Sequence, residues 1–359
     1  MPKLLSKVLF LLVLAVVVLI VLAYSQMQRY LATPLNIPQG GVEYTLARGG
    51  SLNALAYSLS NKGLLTSPRW LIAYSRLSKR GQVIKAGDYW LDEGLTPLIL
   101  LDKLEQGDVR YYQVTLVPGW TLGQVLTALR SQPKLKQTIA SDALTIKASD
   151  LGIEVPYERL EGLFFPDTYR FHSDTSDVEL LRQSYTQLQT FLAAEWEKRA
   201  DKLPYKTPYE ALIMASLVEK ETGVAFERPE IAGVFVRRLN QRMRLQTDPT
   251  IIYGLGASFD GNLRSRHLKD ASNLYNTYRH SGLTPTPIAL AGAEAIVAAL
   301  HPKAGSSLYF VAKGDGSHYF SDTLEEHQKA VRKYQIEQRR KNYRSAPKKN
   351  NTGDKLVSD

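Results

Sequence analysis

The sequence predicts an α+β protein: a single N-terminal transmembrane helix, then a small α/β module, then a mixed, helix-rich second domain. Three observations predict it. The chain opens on a long uncharged apolar run, strand-turn-helix patterns recur over its first third, and longer helical patterns take over beyond about Tyr157. A chain of 359 residues has room for about two domains with a sizeable core. Its 44% hydrophobic and 22% charged residues suit a globular protein and argue against wholesale disorder. Cysteine is absent, which excludes disulfides, thiolate metal sites, a cysteine nucleophile and lipid attachment at an N-terminal cysteine. It also suits an oxidising compartment.

The apolar run is residues 8–24, VLFLLVLAVVVLIVLAY. Seventeen helical residues at about 1.5 Å each reach about 26 Å, the short end of a bilayer crossing. Lys3 and Lys7 precede it, so residues 1–7 are expected in the cytoplasm and everything after Ser25 on the far side. A cleavable signal peptide is the competing reading, with Val21 and Ala23 fitting a small-residue cleavage site. The run exceeds the usual apolar core of a signal peptide, about 7–15 residues, which favours a retained anchor. Residues 25–40 lack periodicity, contain Pro34 and Pro38, and read as a stalk.

In the module, Tyr44 to Ala47 alternates like a strand, Gly49 and Gly50 turn, and Ser51 caps a helix running to about Asn61. Residues 87–91 (GDYWL) are strand-like, and Thr96 with Pro97 starts another helix. Thr45 to Leu52 is echoed by Thr115 to Leu122: strand, glycine turn, hydroxyl cap, apolar helix. The echo fits a small carbohydrate-binding module of LysM type, and equally an ordinary β-turn-α unit used twice.

Further on, Glu161 to Phe171 (EGLFFPDTYRF) reads as an aromatic loop or strand. Helices are predicted over Val178–Arg199, Pro208–Gly223, Pro229–Met243 and Ile288–Ala299, and a strand over Ser306–Lys313. The formal net charge is +10, but eight Lys or Arg against the single acid Glu337 lie between Arg332 and Lys349. The basicity is thus mostly a property of residues 331–359, which read as a disordered tail or as a contact for an anionic polymer or lipid surface. Nucleic-acid binding by the folded part would need a basic face on the domain itself and is not expected.

The six histidines show no metal-ligand spacing, and neither a phosphate-binding glycine loop nor a GxSxG elbow occurs. No metal and no cofactor is expected, which leaves carboxylates and hydroxyls. On the helix from Ala211 to Gly223, at about 100° per residue, Leu212, Ile213, Met214, Leu217 and Val218 form a stripe on which Glu221 is centred. Glu219 falls on the opposite side, beside Ala215 and Ser216. Glu219 is therefore expected to be a solvated surface charge. Glu221 is expected to face apolar packing at a helix C-terminus, where both burial and the helix dipole disfavour its anion. That is what a general acid needs near neutral pH. The competing reading pairs Glu221 with an arginine such as Arg228 or Arg237. Downstream, Arg244–Gly254, Asn273–Ser281 and Gly282–Pro287 are dense in amides, hydroxyls and aromatic rings. These groups suit sugar recognition, and equally plain turn chemistry.

Four stretches, Val218-Glu219-Lys220-Glu221-Thr222, FFPDTY (Phe164 to Tyr169), Leu245 to Thr250 with Tyr253-Gly254, and Tyr275-Asn276-Thr277-Tyr278, together resemble the YceG-like family. The resemblance covers nearly the whole chain, leaving the tail past Glu337 unmatched. It implies residues 41–110 as a LysM-like module and residues 111–330 as a YceG-like catalytic domain. The activity implied is that of a bacterial inner-membrane lytic transglycosylase whose periplasmic domain cuts nascent peptidoglycan strands internally, between N-acetylmuramic acid and N-acetylglucosamine, leaving 1,6-anhydro ends. It puts the catalytic role on Glu221, the second glutamate of E-K-E-T. Gln246, Thr247, Asp248, Tyr253, Asn276 and Tyr278 become candidates for substrate binding, and peptidoglycan synthases become the expected partners. Two alternatives stay open: a muramidase that uses water, and a non-catalytic wall-binding scaffold.

Overall fold

The computed structural model describes residues 2–337, with side chains from residue 5 onward. The reading of a basic disordered tail lies outside the described residues beyond Glu337; residues Arg332–Glu337 form a wide helical turn. The chain divides into two compact units. Among the described residues, the first comprises residues 2–113 with 134–136 and 170–175; the second comprises 114–133, 137–169 and 176–337.

The first unit opens with α1 (Pro2–Ala32). Its stretch Leu5–Ala32 is long and apolar enough to cross a membrane. The helix does not stop at Tyr24. Residues 25–32, expected in an aperiodic stalk, continue it, and Met27, Leu31, Leu35 and Ile37 are buried. Two backbone bonds stitch the following segment down: Leu35 N–H to Leu95 O at 2.8 Å and Asn36 N–H to Leu64 O at 2.9 Å. Apolar side chains every few residues, among the polar ones, give this stretch something to bury.

Next come β1 (Val42–Leu46), α2 (Leu52–Asn61), α3 (Pro68–Ser78), β2 (Gly87–Leu91) and α4 (Pro97–Gln106). β1 and β2 pair antiparallel, with Tyr44 opposite Tyr89. The expected caps are present: the Ser51 and Thr96 hydroxyls accept from Ala54 N–H and Ile99 N–H. Leu55, Ala56, Leu59, Leu71, Tyr89, Leu91, Leu100, Leu101 and Leu104 fill one core. α3 was not anticipated; Pro68 at its first turn was its signal.

In the second unit the echo of that pattern recurs. β3 (Tyr112–Thr115), within which the division between units falls, leads through Gly119 to α5 (Leu122–Arg130), whose cap Thr121 forms a full capping box with Gln124. α6 (Ala148–Leu151) follows, then β4 (Thr168–Phe171), which the division between units also crosses, α7 (Asp177–Glu197), α8 (Pro208–Glu221) and α9 (Arg228–Asn240). Beyond them lie α10 (Asp248–Leu255), α11 (Ser265–Lys269), α12 (Ala293–Leu300), the antiparallel pair β5 (Tyr309–Ala312) and β6 (His318–Ser321), and α13 (Leu324–Val331).

α8 is the axis of this unit. It packs against α12, α9, α7 and α10. Thr207 caps it and Pro208 occupies its first turn. Every residue from Ala211 to Val218 is buried, so the expected apolar stripe is one strip of a helix covered on all sides. α12 also departs from expectation. The predicted helix from Ile288 starts only at Ala293, because residues 288–292 run as a strap: Ile288 N–H donates to Ser216 Oγ at 3.0 Å, and Leu290 exchanges backbone bonds with Gly119 and Trp120.

Candidate active site

α8 ends at Glu221, and Thr222 turns the chain into extended backbone. At that end lies a short connection from α9, residues 244–247, which places Thr247 as the residue preceding α10. Its backbone is held from three sides. Gln246 N–H donates to Thr277 O at 3.3 Å, Thr247 N–H to Thr277 Oγ1 at 3.0 Å, and the Thr250 hydroxyl to Thr247 O at 2.6 Å. Thr247, Thr250 and Thr277 are all buried, so this hydroxyl cluster is a fixed frame.

The Thr247 hydroxyl donates to Glu221 Oε1. Among the described residues no lysine or arginine reaches the Glu221 carboxyl. Burial is the main influence on it and raises its pKa; the Thr247 hydroxyl opposes that, and the Asp248 charge adds to it, leaving Glu221 at about 7. The residue as a whole keeps partial exposure, while its carboxyl is desolvated. Asp248 is exposed at the first position of α10 and accepts from the Tyr278 hydroxyl at 2.8 Å. Burial first, then the charge of Asp248, raise the Tyr278 phenol, with Glu221 adding to the rise.

Gln246 is exposed and has φ +53°, a left-handed backbone uncommon for a residue with a side chain. Arg238, buried on α9, compensates: its Nη1 donates to Gln246 Oε1 at 3.3 Å and to Leu245 O at 2.9 Å. Tyr253, on α10, is half-buried, and its hydroxyl donates to Glu161 Oε2 at 3.2 Å. Gly254 beside it has a packing reason, since a Cβ there would overlap Asn273 Oδ1. Asn276 lies elsewhere in the hierarchy. It is fully buried, its Nδ2 donates to the carbonyls of His267, Leu268 and Asp270, and its Oδ1 accepts from Tyr278 N–H. With these atoms committed, Asn276 supports Tyr278 from behind and is not presented to a ligand.

Glu219 corrects the sequence reading. It is not a solvated charge: its side chain is only 7% exposed. Its Oε2 accepts from Gly292 N–H at 3.2 Å, and Arg228 stands 3.7 Å from its Oε1. Burial raises Glu219, and the Arg228 charge opposes that rise. Arg228, expected as a partner for Glu221, bonds Glu294 at 2.5 Å and faces Glu219. Arg237, the other expected partner, donates to the carbonyls of Ser307 and Lys303.

Two further buried glutamates were not anticipated. Glu161 is 7% exposed and burial pushes it up to about 7, with bonds from Leu122 N–H and Tyr253 opposing. Glu227 is buried, accepts from the Thr222 hydroxyl at 3.3 Å, and takes both His318 N–H and His318 Nδ1 at 2.8 Å. It ties the residue after Glu221 to β6. A glutamate opening the buried run Leu163-Phe164-Phe165 was the available signal for Glu161. Among the described residues no three His, Asp or Glu side chains gather in a way that could hold a metal ion. A concavity of about 770 Å³ along one face of α7, from Glu179 to Ala194, includes none of these groups.

A sequence model of the YceG-like family matches residues 44–333. The chain is 34% identical over 312 residues to the endolytic murein transglycosylase of Bacillus subtilis strain 168, covering 82% of this chain and 84% of that one. It is 27% identical over 316 residues to the endolytic murein transglycosylase of Streptococcus pneumoniae serotype 2 strain D39, covering 80% of this chain and 57% of that longer protein. Among solved structures, a crystal structure of a yceG-like protein from Listeria monocytogenes superimposes with a TM-score of 0.50 at 28% identity, over 81% of this chain and 99% of that one.

Proposed function

The chain belongs to the YceG-like family, and from that premise we propose that it is an endolytic lytic transglycosylase of peptidoglycan with Glu221 as its acid and base. One observation carries the residue assignment: a carboxyl at the end of α8, desolvated, steadied by the Thr247 hydroxyl and, among the described residues, without a cation. Protonated, it gives its proton to the oxygen linking N-acetylmuramic acid to N-acetylglucosamine. Ionised after that transfer, it takes the proton of the muramoyl 6-hydroxyl as this oxygen attacks the anomeric carbon. The bond to the leaving sugar breaks, the 1,6-anhydro ring closes, and the carboxyl returns to its protonated form. One residue thus does in sequence what glycosidases divide between two carboxylates.

The oxocarbenium-like transition state carries positive charge. Asp248 supplies a nearby negative charge that the Tyr278 hydroxyl orients. Gln246 and Tyr253 are the polar groups we assign to hold the glycan, while Thr247 fixes the acid. α1 anchors the enzyme in the inner membrane, with residues 1–7 cytoplasmic and the chain beyond Ser25 periplasmic. The apolar length of Leu5–Ala32 and the lysines ahead of it support this topology. The β1-α2-α3-β2 order, with its antiparallel strand pair, supports reading the first unit as LysM-like. Synthases that make the nascent strands are the protein partners this reading implies.

The test is incubation of the full chain, in detergent, with uncrosslinked nascent glycan, followed by mass analysis of the strand ends. Internal anhydro ends are expected. Reducing ends would identify a muramidase instead, and intact strands would leave a wall-binding scaffold.

A further inference from the structure

The Glu161 carboxylate bridges two elements of the second unit. Its Oε1 accepts from Leu122 N–H at 2.9 Å, at the first residue of α5, where a backbone donor has no partner within the helix. Its Oε2 accepts from the Tyr253 hydroxyl at 3.2 Å. The Tyr253 ring cannot swing freely, because Tyr275 meets it edge-on with centroids 4.8 Å apart and Tyr275 is itself tied to Thr286 at 2.9 Å. A phenol has one O–H to give. Given to Glu161, it leaves only lone pairs on the side of the half-buried ring that faces away from the carboxylate.

We infer that Glu161 is a positioning residue that makes Tyr253 a hydrogen-bond acceptor toward the glycan, so that Tyr253 selects a donor, a sugar hydroxyl or an acetamido N–H. This rests on the transglycosylase reading for the identity of the ligand. Glutamine at position 161 is the informative change. Its Oε1 keeps the bond from Leu122, because turning the amide round would set two donors face to face. Its Nε2 then donates to the phenol oxygen, and the Tyr253 O–H turns outward. The bridge survives with its polarity reversed.

The experiment measures binding of uncleaved glycan strands to the full chain in detergent, carrying Glu221→Gln to prevent turnover, above the pH range in which Glu161 titrates. Tyr253→Phe should weaken binding about 3- to 10-fold, the worth of one net hydrogen bond. Glu161→Gln should weaken it more than Tyr253→Phe does, since a donor now meets a donor. Combining the two should bring affinity back to the Tyr253→Phe value, a recovery that a purely structural role for Glu161 does not produce. Thermal midpoints of each variant confirm folding. Undiminished binding by Tyr253→Phe overturns the inference even if Glu161→Gln fails to fold. So does a double variant weaker than both singles. A wild-type chain that binds glycan but leaves strands whole would overturn the proposed function and not this inference. A chain that binds no glycan would overturn both.

Discussion

The end of α8 presents two glutamates to two different neighbourhoods of the same unit. On the Glu219 side stand a guanidinium at 3.7 Å and the Gly292 N–H at 3.2 Å, with Glu294 balancing the other face of Arg228. On the Glu221 side stand a hydroxyl, a carboxylate and a phenol. Both acids are desolvated and both are raised by it. Among the described residues only the first is given a cation. The difference teaches that burial alone does not make a proton donor. A buried acid becomes one where its surroundings decline to stabilise the anion, and it becomes a structural tie where a cation and a backbone donor are supplied.

The sharpest way to break this comparison is Glu221→Gln. It should remove cleavage by about 10³-fold or more, since the one group serves in both proton transfers. Glu219→Gln should cost less than about tenfold, because that residue is a structural tie to Arg228 and the Gly292 N–H and takes no part in the proton transfers. Equal losses in an assay of anhydro ends would erase the distinction. The same variant has a stability signature. The Glu221 pKa is raised from 4.5 to about 7 on folding. Below both values the two states are equally protonated and the residue contributes nothing. As pH rises through that window the unfolded chain ionises first, so the native state is progressively penalised, and above about 7 the penalty is full. Glu221→Gln should therefore raise the thermal midpoint at alkaline pH and leave it unchanged in acid.

Next in size is Arg228→Met, which tests the other neighbourhood. It leaves Glu219 buried with the Gly292 N–H alone, at a cost of about 1–3 kcal/mol for an uncompensated acid. Denaturant unfolding should show that loss, and adding Glu219→Gln should recover most of it. Cleavage by the folded fraction should barely change. A folded Arg228→Met chain that had lost cleavage would mean that the guanidinium serves the reaction and not only Glu219.

Caps and first-turn prolines are local, and Ser51 and Thr96 with Pro97 marked their helices correctly. Thr247-Asp248-Pro249 carries the same signature for α10, yet in a polar, turn-rich stretch it read as loop. A helical wheel puts Glu219 and Glu221 on different sides of α8, and their separate partners agree with it. It sent Glu219 to solvent because it assumed one exposed face, and α8 has none over Ala211–Val218. The apolar run from Ile288 suited helix or strap equally, and the Ser216 hydroxyl decides it from 72 positions away. Glu161 and Tyr253 are 92 residues apart, and no periodicity connects them.

The smallest effect is the finest test of why Glu221 sits near neutrality. The Thr247 hydroxyl does not cap α10; it is spent on Glu221, so Thr247→Val removes that bond while nearly keeping the volume. This hydroxyl is the influence that holds the Glu221 pKa down against burial and the Asp248 charge. Without it the protonated form persists to higher pH. The acid must be protonated to start the reaction, so cleavage should fall off with rising pH around 7 in the wild type and at a slightly higher pH in Thr247→Val. The rate at the optimum should drop only a few-fold, because the carboxyl is less firmly aimed. A pH profile displaced downward would mean that Thr247 accepts from a protonated Glu221 and stabilises the acid, reversing the sign of the contact on which the contrast with Glu219 depends.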